Sequence, residues 1–197
     1  MSSFKMSKKF TDAVSKKGGK GGGYLNPSKL ADGASVKFHI VSDEPLEFWQ
    51  VWGENSDGGL RCFRFEEDPT PEDIEAEMGE YSRRMKRDGT GFEPAIPAMA
   101  FAVFNLDTES IQVCDFSKKT LIDELTAIVQ DEDTADLTQF DLKLSRSGLM
   151  LDTKYSLRPV PTKAGTRKRA LDAFTAAEAD GFDINRLKTG GNPFSAE

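Results

Sequence analysis

The chain has little of what most catalytic and metal chemistry needs. Its 197 residues include two cysteines, one histidine and two tryptophans. Cys62 and Cys114 are too few for a disulfide framework, and both fall in expected strands, where a free thiol packs as a small hydrophobe. With His39 alone and no CxxC pair, the ligand spacing of a structural zinc site is missing. Any serine–histidine–acid arrangement would have to use His39, which alternates onto the polar side of a strand and is expected at the surface. No stretch reaches about 18 consecutive apolar residues, so no membrane span is expected. The opening MSSFKMSKKF lacks the apolar segment of a secretory signal. A phosphate loop is excluded too: the glycines up to Gly23 lack GxxxxGK[ST] spacing and follow no strand. These absences point to a soluble binding protein in a reducing, cytosolic setting, with no enzyme chemistry and no cofactor.

What is present is charge, unevenly spread. The formal net charge is −7. Residues 1–37 hold eight lysines against two aspartates, whereas residues 38–161 carry a net −14. A basic arm on an acidic body is the pattern of a protein with a polyanionic partner, although a solvated tail produces the same pattern. The glycine- and lysine-rich stretch argues for a flexible basic arm over 1–23, with Lys8, Lys9, Lys16, Lys17 and Lys20 free to meet phosphates.

The body, residues 24–161, reads mainly as strands. Ser35–Val41, Leu46–Gly53, Leu60–Phe65, Pro97–Asn105, Ser110–Phe116, Phe140–Arg146 and Thr153–Pro159 alternate or are apolar throughout. Asn55–Gly59 (NSDGG) is a hairpin signal. Ser117–Gln130 places Leu121, Ile122, Leu125, Ile128 and Val129 on one helical stripe, with Ser117 as the expected N-cap. Thr70-Pro71 opens an inserted helix expected over about 71–87, acidic at its start and basic at its end. The fold class expected is therefore mainly β with α insertions. One helix within a run of antiparallel strands is the arrangement of an OB-type barrel. The remaining 162–197 reads as a C-terminal extension, helical over Ala170–Ala179 and then loose, with Phe194 an exposed aromatic.

The strands carry more aromatics than a barrel of this size can bury. Arginines sit among them, and that composition suits a surface that stacks bases and holds phosphates. Trp49, Trp52, Phe63, Phe65 and Tyr155 are the candidate stacking residues. Arg61, Arg64, Lys143, Arg146, Lys154 and Arg158 are the candidate phosphate contacts. Trp49 and Trp52 have opposite strand parity, so at most one can face the core cleanly. Two other readings compete. An acidic body with exposed aromatics also describes a protein–protein module. Asp107, Asp115 and Asp141 on strand ends could be imagined as the carboxylates of a metal-dependent nuclease.

Several blocks resemble a known family. The opening YLNPSKLADGASVKFHIV, the block VFNLDTESIQVCDFSKKTLIDEL and the close LSRSGLMLDTKYSLRPVP are similar to single-stranded DNA-binding proteins of tailed phages, cyanophages in particular. The likeness covers residues 24–161. It implies an OB-fold protein, without catalysis, that coats single strands in DNA replication, recombination and repair. It also implies phage DNA polymerase and recombination proteins as partners, and the cytoplasm of the infected bacterial host as the location. Members of the T4 type carry a His/Cys zinc site that has no counterpart here. Many members end in a strongly acidic tail, which is also missing. The basic arm is similar to arms that contact neighbours, and so implies self-association along DNA.

Overall fold

The computed structural model describes residues 23–195. Its strands are β1 (Gly23–Leu25), β2 (Ser35–Ile40), β3 (Leu46–Glu54), β4 (Leu60–Phe65), β5 (Ser82–Arg83), β6 (Ile96–Asn105), β7 (Ser110–Phe116), β8 (Phe140–Ser147) and β9 (Lys154–Pro161). Three α-helices stand among the described residues: α1 (Pro71–Met78), α2 (Lys119–Gln130) and α3 (Thr166–Ala179). No helix there is long and apolar enough to cross a membrane. The lysines of the basic arm lie outside the described residues.

The nine strands form one mixed sheet; six run in the order β1-β7-β6-β2-β8-β9, with β1 parallel to β7, and β3, paired with β4 and β5, branches from β6. The hub is β6. Along one edge it pairs with β7 from Met99 to Asn105. Along the other, its first half pairs with β3 and its last residues with β2. Its near-continuous apolar sequence is that of a strand buried on both faces. Phe101 and Val103 point into a first core with Phe38, Phe116, Leu142, Leu144 and Leu157, closed by Leu121, Leu125 and Ile128 of α2. Ala98, Ala100, Ala102 and Phe104 point the other way, into a second core with Ile111 and Val113. The three alanines leave room there for α3 and the chain after it.

That covering corrects the expected loose tail. Phe182 and Leu187 are buried in the second core, and Phe194 packs against it with its ring 5.2 Å from that of Phe182. A 3-10 turn over Ile184–Thr189 carries Leu187 inward. His39 is corrected as well. It is 1% exposed, its Nδ1 lies 3.0 Å from Asp141 Oδ1, and Thr162 Oγ1 donates to the same oxygen. A buried imidazole and a buried carboxylate satisfy each other here.

The sheet does not close into the expected barrel. β9 pairs with β8 alone, and α2 packs along its free side. The Leu157 amide on that side donates to the Glu124 carboxylate of α2. Pro159 and Pro161 fall on the same edge by the two-residue repeat, and neither has an N–H to offer a further strand. The edge is therefore capped rather than extended.

The inserted helix is shorter than expected. Thr70 and Asp73 form the reciprocal cap, and Pro71 opens the first turn. The helix stops at Met78 because Gly79 turns to φ 56. The basic residues expected at its end instead form a hairpin: β5 pairs with Gly53 and Glu54, and Lys86 N donates to Gly91 O. Helix α2 begins one turn-residue late, with Lys118 at the cap position and no side-chain bond from Ser117.

Two stability outcomes follow. Phe182→Ala should cost about 3–5 kcal/mol in urea unfolding, as for a core aromatic; a loss under about 1 kcal/mol would mean the tail does not pack. Glu124→Ala should cost about 1–3 kcal/mol by leaving the Leu157 amide without its acceptor.

Candidate nucleic-acid interface

The β3–β4 hairpin builds the site. Asn55 Oδ1 accepts from Gly59 N at 2.6 Å and from Asp57 N at 3.2 Å, which fixes the turn and with it the register. Trp49 then faces Phe65, Gln50 faces Arg64, Val51 faces Phe63 and Trp52 faces Cys62. Alternation sends these pairs to opposite faces.

One face is closed. Phe63 is 3% exposed in a small core with Val51, Ile74 and Met78, and Phe65 and Tyr81 pack at its edge. Gly53 allows this close approach, since a Cβ there would lie 2.5 Å from Met78 Cε. Phe63 is thus corrected from stacking residue to core residue. Arg61 lies with its guanidinium 4.8 Å from the Phe63 ring centre, a cation–π contact that lids this core. Trp49 shares this face and is half-buried.

The other face is open. A groove of about 550 Å³ runs between the hairpin, β1 with the turn after it, and the start of α2. Trp52, Gln50, Cys62 and Arg64 of the hairpin line it together with Tyr24, Pro27 and Lys29. Lys118 and Arg84 line it as well. The Arg84 backbone N–H donates to Trp52 O at 3.0 Å, continuing the β5 pairing. Tyr24 is 48% exposed, its ring edge-on to Phe194 at 6.2 Å.

Arg64 sits deepest. Its guanidinium lies 5.1 Å from the Phe48 ring centre and 3.8 Å from Asp115 Oδ2. Its Nε is buried and finds no hydrogen-bond partner among the described residues. Burial pushes the Asp115 carboxyl above the usual carboxylate range, and Arg64 opposes that push. Burial likewise raises the Tyr24 hydroxyl and pushes the Cys62 thiol up to about 11. Four cations and one carboxylate line the groove, so it is positive within an acidic body.

The expected site residues therefore divide. Trp52 and Arg64 line the groove, whereas Trp49, Arg61, Phe63 and Phe65 belong to the closed face. Arg146 is not a free phosphate contact: its guanidinium donates to Ser28 O at 3.0 Å and to Leu30 O, clamping the segment that walls the groove. Tyr155 packs against the first core. Lys143 and Arg158 are cross-strand neighbours on the opposite side of their strands from Leu144 and Leu157, and with Lys154 they do not line the groove. Asp107, Asp115 and Asp141 do not converge: they lie in the β6–β7 turn, in the groove and against His39 respectively. Among the described residues no trio of metal-ligating side chains clusters.

Tyr24, Lys29, Arg84 and Lys118 were not among the expected site residues. Each stands in or beside a loop, where no periodicity marks it. Their common signal is a lone aromatic or cation at a segment boundary.

A raised thiol pKa means less thiolate, so Cys62 should react with a thiol reagent at about pH 8 far more slowly than a free cysteine. Reaction at the unfolded-chain rate in buffer without denaturant would contradict the burial of this wall. The chain matches no family model, no curated protein and no solved structure.

Proposed function

We propose that the protein binds single-stranded DNA without regard to sequence, in the groove walled by Trp52 and Tyr24, and that it acts by coating the strand rather than by catalysis. The observation that carries this reading is the groove's composition: Trp52 and Tyr24 line it together with Arg64, Lys29, Arg84 and Lys118, and Asp115 is its one carboxylate. Rings stack on any base and cations track the phosphates, which is how strands are held without base readout.

The topology supports an OB-type assignment. The order β7-β6-β2-β8-β9, with α2 between β7 and β8 in the chain, is compatible with an OB sheet. Such barrels are partly open, and they bind oligonucleotides on the face of their second and third strands and in the loops beside it. Here the elaborated connection after the first strand is β3–β4–α1–β5, and it overhangs the groove. By its resemblance to phage proteins the chain would serve DNA replication, recombination and repair in an infected bacterium, beside the phage polymerase and recombination proteins. A protein–protein module is the second reading, favoured by the exposed Leu149, Met150 and Leu151 at one end of the molecule.

Titration with oligo(dT) tests the assignment. Trp52→Ala should weaken binding by about 1–3 kcal/mol, the worth of one stacked base. Trp52→Phe should remove most of the tryptophan quenching, and Trp49→Phe should leave it. Lys118→Ala should flatten the slope of log K against log salt by about 0.7, one phosphate contact on a single strand. Equal affinity for duplex and single strand, or unchanged fluorescence at saturation, would overturn the reading.

Asp115 supplies a pH dependence. Burial raises its pKa, so as pH falls it takes up a proton earlier than an ordinary aspartate does, which removes the one negative charge beside Arg64. Oligo(dT) affinity should therefore rise as pH falls in the natural protein. Asp115→Asn should bind severalfold tighter at pH 7 and lose part of that rise.

A further inference from the structure

Lys143 and Arg158 stand outside the groove, but they are not scattered surface charges. Lys37 of β2 is opposite Lys143 of β8, and Lys143 is opposite Arg158 of β9. Three cations therefore share one cross-strand row, about 5 Å from strand to strand. The next row on the same face is Ser35, Ser145 and Ser156, also in register. Val36, Leu144 and Leu157, between the rows, turn to the first core, so alternation sends both rows to the other side. Lys37, Arg158, Ser35 and Ser156 are exposed, and Lys143 and Ser145 are half-buried between them.

Like charges directly opposite one another destabilise a sheet. A carboxylate at one of the three positions would remove the repulsion, and none is there. The row on the far side holds His39 and Asp141, but that carboxylate is buried and taken up by the imidazole and by Thr162. The β6–β7 turn meets β2 where Leu106 N donates to Lys37 O at 3.0 Å. Of the two acids in that turn, Glu109 pairs with Arg169, which leaves Asp107 against three cations. Among the described residues none of the three cations is in an ion pair. Lys154 lies past the serine row, at the turn that also holds Asp32 and Asp152, so the positive charge is centred on the row of three.

The face carries no ring in either row and offers a nucleobase nothing to stack on. What it offers is charge and hydroxyl groups, which suit phosphate oxygens. The groove borders β1 and β7, the rows lie on β2, β8 and β9, and β6 separates the two in the sheet. We propose that this row is a second binding site, for the phosphates of a nucleic-acid backbone, and that it holds the strand by charge without touching a base. The identity of the polyanion rests on the reading given above, whereas the charge and the register of the row do not. A strand that leaves the groove can lay its continuation on this row, where sequence again goes unread.

The probe is a short abasic strand, which has phosphates and nothing to stack. Lys37→Gln/Lys143→Gln/Arg158→Gln is compared with Lys86→Gln/Lys119→Gln/Lys168→Gln, which removes as much charge from exposed positions elsewhere. Relief of the like-charge contacts predicts that the row variant melts no lower than the natural protein. At low salt it should bind the abasic strand about tenfold or more weaker than the control variant does. Its slope of log K against log salt should be smaller by about 2, from three contacts at about 0.7 each on a single strand. In the natural protein the abasic strand should shield Lys37 and Lys143 from acetylation, read by peptide mass, more than it shields Lys86 and Lys168. The shielding needs no variant, so it decides the matter even if the row variant melts low. Equal weakening in the two variants, no shielding of Lys37 and Lys143, or no binding of the abasic strand by the natural protein overturns the proposal. Preference for inorganic polyphosphate at equal phosphate concentration overturns the assignment to nucleic acid. If the row variant fails while Trp52→Ala binds oligo(dT) as the natural protein does, the row stands and the groove reading falls. If Trp52→Ala weakens oligo(dT) binding while the row variant matches its control, the groove stands and the row falls.

Discussion

Burial of β6 on both faces is the constraint from which the other placements follow. Phe101 and Val103 need a core beneath the sheet, and α2 closes it. Ala98, Ala100 and Ala102 need a cover above, and α3 with Phe182 and Leu187 provides it. One edge of β6 is filled by β7, so β2 and β3 must share the other end to end. The far half of β3 then runs beyond the body of the sheet and has to carry its own partner, β4, and its own small core under α1. The groove is the space left where that overhang faces β1 and the start of α2.

This geometry explains how a net-negative protein can present a positive channel. The carboxylates are concentrated in solvated loops and helix starts, whereas the cations of the groove are brought together from four separate segments. Within the groove the walls exclude part of the solvent, so local charge outweighs the distant excess of acid. Asp115 is the exception, and it lies against Arg64, where it sets how much of that guanidinium's charge is open to a phosphate.

Much of the fold was legible because strands announce themselves every second residue. β2, β3, β4, β7 and β8 stand within a residue or so of where alternation put them. The prolines of β9 were also visible, and they marked an edge strand, but a barrel expectation passed over them. What stayed hidden depended on pairings distant in sequence. His39 and Asp141 are 102 residues apart, and each alone reads as a surface residue. Phe182, Leu187 and Phe194 have no regular spacing, so their descent onto the alanine face of β6 left no pattern. Gly79 was the one local sign that the inserted helix ends early. Of the expected site residues, Trp52 and Arg64 line the groove. The stacking role of Phe63 failed because alternation alone does not say which face a second layer will cover. Tyr24, Lys29, Arg84 and Lys118 could be found only once the hairpin and loops were in place.

The most direct test of the central claim is to see which residues touch a bound strand. Oligo(dT) carrying 5-iododeoxyuridine is bound at low salt, irradiated, and the cross-linked peptides are identified by mass. Cross-links at Trp52 and Tyr24 are the predicted result. Cross-links confined to Trp49, Phe65 or the β8–β9 strands, with the groove residues unmarked, would contradict it.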